Sequence, residues 1–213
     1  MQSISELRKE YLKATLDVGS VNHDPLKQFE KWFNEARRAE LSEPNAMSLA
    51  TVNENGRPTC RIVLLKGIEF GKFVFFTNYQ SQKGTALSAN PACALTFYWP
   101  ELERQVRIEG TATPIDPSRS DKYFQTRPRG AQLGTWASPQ SSIIENREIL
   151  DERMDQIRQR YPDNETIPRP NQWGGYDVEP LLVEFWQGRV DRLHDRIQYV
   201  LVDNAWQIFR LAP

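Results

Sequence analysis

The residues most suggestive of chemistry form a short stretch near the C-terminus, Arg192-Leu193-His194-Asp195-Arg196. One of the two histidines of the chain lies here between two arginines. The flanking pattern predicts a strand from Arg192 to Val202, and alternate side chains of a strand share a face, so Arg192, His194 and Arg196 are expected to project together. A cationic row beside an imidazole predicts an anionic partner, and a phosphorylated small molecule is the obvious candidate.

Two segments in the first half of the chain also combine cations with groups that bind phosphate. Arg61 and Lys66 bracket four apolar residues, but at five positions apart they face opposite sides of an ideal strand, so a shared ligand requires a bulge or a strong twist. Thr77-Asn78 and Ser81-Gln82-Lys83-Gly84 join a predicted strand to a predicted helix start, where backbone N–H groups favour anions. Solvated strand ends and an ordinary polar loop are the alternative interpretations.

Three further patterns could contribute to a site for a flat, charged ligand. Tyr123 and Arg127 share one face of a predicted helix, although a solvated charged face explains them equally well. Trp173-Gly174-Gly175-Tyr176 and Phe185-Trp186-Gln187-Gly188 place aromatic rings beside glycines, where a ligand can approach the backbone; core packing is the alternative. Gln105 could donate to or accept from the edge of a heterocycle.

The overall composition limits the possible function classes. The chain has 213 residues, a net charge of -1 and 26% charged residues, which favours a soluble globular protein over one that coats DNA or anionic membranes. No apolar run approaches the length of a membrane span, and the N-terminus lacks a secretion signal. Cys60 and Cys93 lie in apolar runs without metal-ligand spacing, so we expect buried free thiols, no metal site and a cytoplasmic location.

The N-terminal part of the chain, residues 1–40, has a helical pattern. Ser3 to Glu6 resembles a capping box, and the helix that follows would place Arg8 and Tyr11 on one face. Asp24-Pro25 is a stronger start signal, because it combines a capping residue with a proline at the first helical position. The apolar stripe that follows consists of Leu26, Phe29, Trp32, Phe33 and Ala36.

The remaining segments predict how the candidate residues are positioned. Residues 46–115 have the period of strands, and residues 116–160 have that of helices, with one helix opening at Ser138-Pro139. Residues 161–175 indicate a loop, and residues 180–213 indicate C-terminal strands. The strands mostly follow one another without the alternation typical of a parallel sheet, so we expect an α+β fold in which helices surround an antiparallel barrel, forming a single domain over residues 1–213.

Together these segments resemble the pyridoxamine/pyridoxine 5'-phosphate oxidase family of FMN-dependent flavoproteins, and the resemblance covers almost the whole chain. Its most specific parts are Arg61-Ile-Val-Leu-Leu-Lys66, Leu102-Glu-Arg-Gln-Val106, Tyr123-Phe-x-x-Arg127-Pro-Arg129, Gln140-Ser-Ser142, Trp173-Gly-Gly175, Glu184-Phe-Trp-Gln-Gly188, Arg192-Leu-His-Asp-Arg196 and Arg210-Leu-Ala-Pro213. Any one of these motifs could arise by chance, whereas their joint occurrence in this order is hard to explain otherwise.

The resemblance implies an FMN-binding split β-barrel of Greek-key type and a homodimer with two FMN sites along the subunit interface. By similarity, the residues that line the flavin are Arg61, Ile62, Val63, Leu64, Leu65, Lys66, Phe76, Thr77, Gln82, Lys83, Gln105, Gln140, Ser141, Trp186 and Arg196. By the same similarity, the residues that face the substrate are Arg8, Tyr11, Lys66, Tyr123, Arg127, Ala131, Arg192, Leu193 and His194. Arg192 and His194 are the expected catalytic residues, which would orient the substrate ring, while Lys66, Tyr123 and Arg127 would clamp its phosphate.

Two positions depart from the pattern of well-known bacterial members. Gln82 stands where an arginine often helps to hold the FMN phosphate, and Ala131 stands where a serine often contacts the substrate phosphate. Because Arg61, Lys83 and Arg127 remain, we expect weaker individual contacts and an intact activity.

The implied reaction converts pyridoxamine 5'-phosphate or pyridoxine 5'-phosphate to pyridoxal 5'-phosphate, in vitamin B6 biosynthesis or salvage. A hydride would pass from C4' of the substrate to N5 of FMN, and dioxygen would reoxidise the flavin and yield hydrogen peroxide. Two alternatives stay open: another split-barrel FMN oxidoreductase with a different substrate, and a non-catalytic protein that binds FMN or pyridoxal phosphate. Nucleic-acid and membrane partners are not expected from the charge.

Overall fold

A nine-stranded antiparallel sheet, flanked by helices, forms the framework of the part of the chain that this computed structural model describes, residues 3–6 and 10–213. The helices are α1 (Pro25–Arg38), α2 (Gln82–Ala89), α3 (Pro117–Thr126), α4 (Arg129–Ala137) and α5 (Glu148–Arg160). The strands are β1 (Ala46–Val52), β2 (Pro58–Leu64), β3 (Gly67–Glu69), β4 (Lys72–Asn78), β5 (Ala92–Trp99), β6 (Arg104–Pro114), β7 (Trp173–Gln187), β8 (Asp195–Val202) and β9 (Ala205–Leu211). The predicted α+β class is confirmed.

The order of the strands makes the sheet curl into a barrel. Seven strands pair in the order β2-β1-β5-β6-β7-β4-β3, and β8 continues from β7 to β9. The two ends of the seven-strand path, β2 and β3, are separated in the chain only by Leu65 and Lys66. Two residues span less than about 10 Å, so the sheet must bend round until its ends nearly meet.

Helix α1 covers the core of this barrel, as its sequence predicts. The Asp24 side chain accepts a hydrogen bond from the backbone N–H of Leu26 at 2.8 Å, and Pro25 occupies the first helical position. Phe29 is fully buried and packs edge-on against Phe73 of β4 and Phe97 of β5. Burying such aromatic side chains stabilises the fold by about 2–3 kcal/mol each.

The helical prediction for residues 1–40 is wrong before Pro25 in the described part of the chain. Only Ile4–Glu6 and Val18–Ser20 form short 3-10 turns there, and residues 10–17 are irregular. The backbone N–H groups of residues 12, 13 and 16 donate to the carboxylates of Glu103 and Asp195, so they are not available for a helical ladder. We call residues 10–17 the N-terminal strap. Arg8 lies outside the described residues.

The strand predicted from Arg192 starts later than expected. β8 begins at Asp195, whereas Arg192 ends the 3-10 turn Val190–Arg192 with a left-handed φ of 62°. The prediction that Arg192, His194 and Arg196 project together from one strand is therefore wrong. The turn forms because the backbone N–H of Arg189 donates to a ring nitrogen of His194, which bends the chain before the sheet resumes.

Two other predicted boundaries are also wrong. No helix opens at Ser138-Pro139, and α5 begins only at Glu148, because Ser141 has a left-handed φ of 71° that a helix cannot contain. β7 begins at Trp173 rather than near residue 180. Gly174 and Gly175 pair with β4 and lie so close to neighbouring side chains that only glycine fits there.

Both cysteines are free, but only Cys93 is buried, whereas Cys60 is exposed. The prediction of two buried thiols is thus wrong for Cys60, since β2 is an end strand of the sheet path with one open face. Within the described ranges, no helix is long and apolar enough to cross a membrane.

Candidate functional site

Two cations and two neutral polar side chains meet near the C-terminal end of β4. Gln140, in the loop before α5, accepts hydrogen bonds through Oε1 from the hydroxyl of Thr77 at 3.2 Å and from Nζ of Lys83 at 3.4 Å. Arg61 of β2 is the nearby charge that acts on Lys83. We call these four residues the cationic cluster.

The cationic cluster lacks negative charge. The guanidinium of Arg61 donates to a hydroxyl and a carbonyl oxygen of β1 at 2.7 and 3.2 Å, and to Thr59. Burial lowers the pKa of Arg61, and burial followed by repulsion from Arg61 lowers the pKa of Lys83. Among the described residues, no ion pair connects either cation to a carboxylate. An anion would relieve both shifts, so the cluster fits a phosphate.

Helix α2 adds a dipole to this region. Ser81 caps the helix by accepting from the N–H of Gly84 at 3.3 Å, and Gly84 lies against the backbone of Tyr79, where any side chain would collide. Lys83 belongs to both the cationic cluster and the first turn of α2, so the positive end of the helix dipole lies beside the cluster. Gln82 and Ser141 are exposed and line a cleft of about 340 Å³ beside it.

A stack of aromatic rings lies next to the cationic cluster. The rings of Phe76 and Tyr123 are parallel with centroids 3.8 Å apart, and Trp173 continues the stack 5.4 Å from Phe76. The Arg127 guanidinium lies 4.6 Å from the centroid of the Trp173 ring and donates to the Thr135 hydroxyl at 2.6 Å. We call Phe76, Tyr123, Arg127 and Trp173 the aromatic stack.

Tyr123 and Arg127 both lie in the aromatic stack, but the predicted shared helix face is wrong, because α3 ends at Thr126 and the backbone of Arg127 is extended. Burial lowers the pKa of Arg127, so this guanidinium too would gain from an anionic partner. Ala131 is half-buried one turn into α4, where its carbonyl accepts from the Thr135 hydroxyl at 2.8 Å. Its methyl group supplies no hydrogen bond to a ligand.

A second group of rings gathers at the opposite end of β7. The centroids of the Trp186 and His194 rings are 4.6 Å apart, and the ring of Tyr11, from the N-terminal strap, lies edge-on at 5.7 Å from both. Gly188 lies directly under the Tyr11 ring, where a Cβ atom would collide at 2.7 Å. The backbone N–H of Arg189 donates to Nδ1 of His194 at 3.1 Å. We call Tyr11, Trp186 and His194 the histidine cluster.

Gln105 and Arg196 flank the histidine cluster in the sheet. Trp186 pairs with Gln105 of β6 on one side and with Arg196 of β8 on the other, so the three residues form one cross-strand row. Arg196 donates to both carboxylate oxygens of Glu184 at 2.8 and 3.1 Å, and Glu184 also accepts from Arg107 at 2.8 Å. Burial would raise the pKa of Glu184, but the hydrogen bonds from its two arginines outweigh burial and lower it.

The remaining predicted residues are more scattered. In the run from Arg61 to Lys66 the side chains alternate between faces: Ile62 is exposed, Val63 and Leu64 are half-buried, and Leu65 is buried. Lys66 is exposed and borders a cleft of about 510 Å³ beside α1. Arg192 and Leu193 are exposed on the turn before His194.

The structure therefore brings the predicted residues together in two places, not one. Phe76 pairs with Gly175 near the start of β7, while Trp186 lies near its end. Eleven residues of β7 separate the two points, about 36 Å of strand length in the extended form.

Three residues that sequence reasoning missed organise the histidine cluster. Glu103 is buried and accepts from the strap N–H groups of residues 12 and 13 at 2.9 and 3.0 Å. Asp195 accepts from the backbone N–H of Leu16 and from Arg189 and Arg210. Glu184 holds Arg196. Only Glu184 carried a signal in the sequence, since it is a carboxylate inside an otherwise apolar strand and requires a partner when buried.

Comparison with known proteins covers both halves of the chain. Residues 33–161 match the family model described as pyridoxamine 5'-phosphate oxidase. Residues 173–213, which carry β7 to β9, match the model described as the pyridoxine 5'-phosphate oxidase C-terminal dimerisation region.

Full-length relatives carry a consistent name. A protein from Salinibacter ruber named pyridoxine/pyridoxamine 5'-phosphate oxidase is 54% identical over 215 residues, with all of both chains covered. A protein of the same name from Acaryochloris marina is 52% identical, covering 99% of this chain and 96% of its own length.

Solved structures confirm the predicted split-barrel fold. PhzG from Burkholderia lata 383, in complex with tetrahydrophenazine-1-carboxylic acid, is 30% identical with a TM-score of 0.87, covering 94% of this chain and 100% of that chain. A pyridoxamine 5'-phosphate oxidase-related, FMN binding protein from Nostoc punctiforme has a TM-score of 0.72 at 20% identity, covering 89% and 98% of the two chains.

Proposed function

Because the chain belongs to the pyridoxamine 5'-phosphate oxidase family, we propose that it oxidises pyridoxamine 5'-phosphate or pyridoxine 5'-phosphate to pyridoxal 5'-phosphate with FMN as its cofactor. One observation carries the proposal: the chain has two incomplete half-sites at opposite ends of β7, one suited to phosphates and one suited to a flat ring. Vitamin B6 biosynthesis or salvage is the physiological setting that this reaction implies.

The cationic cluster fits the phosphate of FMN. Arg61 and Lys83 have lowered pKa values because they are partly buried without an anion, and Thr77 adds a hydroxyl donor. A charge-assisted hydrogen bond is worth about 1.5–3 kcal/mol. Gln82 contributes no charge, so the phosphate would depend on Arg61 and Lys83 more strongly than in a relative with arginine there.

The substrate phosphate would lie against the aromatic stack. Tyr123 offers a hydroxyl and Arg127 offers a guanidinium whose lowered pKa reports unused capacity for an anion. Lys66 would complete this clamp by swinging from its exposed position after β2. Ala131 supplies only a methyl contact, so we expect the clamp to rest on these three residues.

The histidine cluster would hold the rings. Trp186 with Gln105 and Arg196 would line the flavin, while Arg192 and His194 would orient the substrate ring so that its C4' carbon faces the cofactor. FMN, when bound, supplies the acceptor for a hydride from C4' and returns the electrons to dioxygen as hydrogen peroxide. The chain's own residues contribute orientation, since holding reacting atoms at near-attack distance accounts for much of such a rate enhancement.

A homodimer would complete both sites. The half-sites lie at opposite ends of β7, about 36 Å apart along the strand, which supports a ligand that contacts half-sites from two different copies. The region from 173 to 213 carries the histidine cluster and matches a model named for dimerisation. We therefore propose two equivalent sites, each combining the cationic cluster and aromatic stack of one protomer with the histidine cluster of its partner.

A visible spectrum and an oxidase assay test this proposal directly. The purified protein should be yellow or become so with added FMN, and pyridoxamine 5'-phosphate in air should yield aldehyde and peroxide in equal amounts. A yellow protein that leaves pyridoxamine 5'-phosphate unchanged would favour a different split-barrel oxidoreductase or a binding protein. Failure to bind FMN at all would contradict the proposal.

A further inference from the structure

The imidazole of His194 is fixed by a backbone group rather than by another side chain. The N–H of Arg189 lies 3.1 Å from Nδ1 of His194. A backbone N–H can only donate, so Nδ1 must present its lone pair. A neutral imidazole carries one proton, which this contact assigns to Nε2.

The chain adopts a costly conformation to make this contact. Asp191 and Arg192 have left-handed φ values of 53° and 62°, which residues other than glycine rarely adopt. Two consecutive residues in this region strain the backbone, so a favourable contact must offset them. The turn they form returns the backbone so that Arg189 reaches a side chain five residues later.

The charged groups described around the ring favour neither a proton on Nδ1 nor a second proton on the ring. Asp195, the adjacent carboxylate, already accepts from the backbone N–H of Leu16 at 3.0 Å and from Arg189 and Arg210 at 2.8 Å each. Arg192 repels a second proton on the ring, and burial acts in the same direction more strongly, so the pKa of His194 is lowered. In the described part of the chain, the aromatic rings of Tyr11 and Trp186 also lie against the imidazole.

From this geometry we infer that His194 works as a neutral hydrogen-bond donor through Nε2–H, directed at an oxygen acceptor on the substrate ring, and not as a proton acceptor. A base at Nε2 would need its lone pair there and its proton on Nδ1, where it would point at the Arg189 N–H. His194 thus selects and orients a heteroaromatic ring that carries an oxygen substituent. The identity of that ring rests on the proposed function, whereas the tautomer does not.

The tautomer can be measured on the wild-type protein without substrate. Long-range ¹H–¹⁵N NMR separates protonated from unprotonated ring nitrogens, and the chain has only two histidines. A His23→Asn variant identifies the His194 signals, since His23 is the other histidine of the chain and is exposed. Above neutral pH we expect Nε2 protonated and Nδ1 bare. A proton on Nδ1, or an average of the two tautomers, would overturn the inference whether or not the protein is an oxidase.

A pair of variants tests the role of the donor. His194→Gln keeps an amide N–H near the position of Nε2 and cannot act as a base, whereas His194→Phe keeps the ring shape and removes the donor. We expect kcat/KM of the Gln variant to exceed that of the Phe variant at least tenfold, with flavin absorbance equal in both. Equal losses in the two variants would contradict a donor role.

Discussion

The two ends of β7 use the same residue types for different purposes. At the cationic cluster, Arg61 and Lys83 lack carboxylate partners among the described residues and have lowered pKa values. Near the histidine cluster, Arg196 pairs with Glu184, and Arg210 pairs with Asp195, and both arginines have raised pKa values because of those hydrogen bonds. An arginine without a carboxylate partner is prepared for an anionic ligand, whereas an arginine paired with a carboxylate maintains the shape of the site.

This difference revises the meaning of the stretch from Arg192 to Arg196. As a sequence it resembles an anion site, but Arg196 is already neutralised by a buried carboxylate. The anion-binding capacity lies instead at the other end of β7, in the cationic cluster and in Arg127. The stretch is better suited to orienting the ring of a ligand.

The largest expected effect comes from removing the ring-orienting side chains. Changing Arg192→Ala together with His194→Ala should lower kcat at least about a hundredfold, because a displaced ring loses its near-attack geometry. The FMN absorbance per protomer should remain that of the wild type. If FMN is lost instead while turnover per bound flavin is unchanged, Arg192 and His194 hold the flavin and not the substrate ring, and the role assignment is wrong.

Heterodimers would show whether the two ends come from different copies. One protomer carries His194→Ala and the other carries Arg127→Ala, so in a shared-site dimer one site has both defects and the other has none. Isolated heterodimers should recover about half of the wild-type activity, and an unfractionated one-to-one mixture about a quarter, although each parent is nearly inactive. No recovery in dimers that are shown to be mixed would mean that each site belongs to a single chain.

The FMN phosphate contact should show in affinity rather than in turnover. Lys83→Met removes one of two cations and should raise the FMN dissociation constant tenfold or more, as expected for a charge-assisted hydrogen bond. Fluorescence titration of the apoprotein measures this constant. Lys27→Met, at an exposed lysine of α1, is the matched control, and an equal shift in both variants would argue against a specific phosphate contact.

The smallest effect concerns the strap that carries Tyr11. Glu103→Gln would replace one of two accepting oxygens with an amide donor and loosen the hydrogen bonds to residues 12 and 13. KM for the substrate should rise a few-fold with kcat little changed, since a hydrogen bond to a charged group is worth about 1.5–3 kcal/mol and only part is lost. Trypsin should cleave faster after Lys13, which is exposed.

Glu101→Gln is the control for this prediction. Glu101 is an exposed carboxylate in the same turn between β5 and β6. Equal trypsin sensitivity in the two variants would show that Glu103 does not hold the strap.

Local signals in the sequence predicted local structure well. Asp24-Pro25 started α1, and strand periodicity identified residues 46–115 as the region that contains β1 to β6. The failures have two causes: Ser141 and the turn before His194 adopt left-handed backbone conformations locally, whereas the strap is bonded to residues distant in sequence. The strap donates to Glu103, ninety-one residues from Leu12, and no local pattern in the strap records that partner.

By itself, the sequence determined the family of the chain, the antiparallel character of its sheet and the kinds of side chains available for phosphate and ring binding. Only the tertiary structure decided which of those side chains meet. Pairing along β7 holds Phe76 and Trp186 at opposite ends of one strand, and a left-handed turn fixes the His194 ring against the Arg189 amide. Strand register depends on contacts between segments that are distant in the chain. A linear motif therefore shows which side chains are available for a site, but it does not show how they are arranged in space.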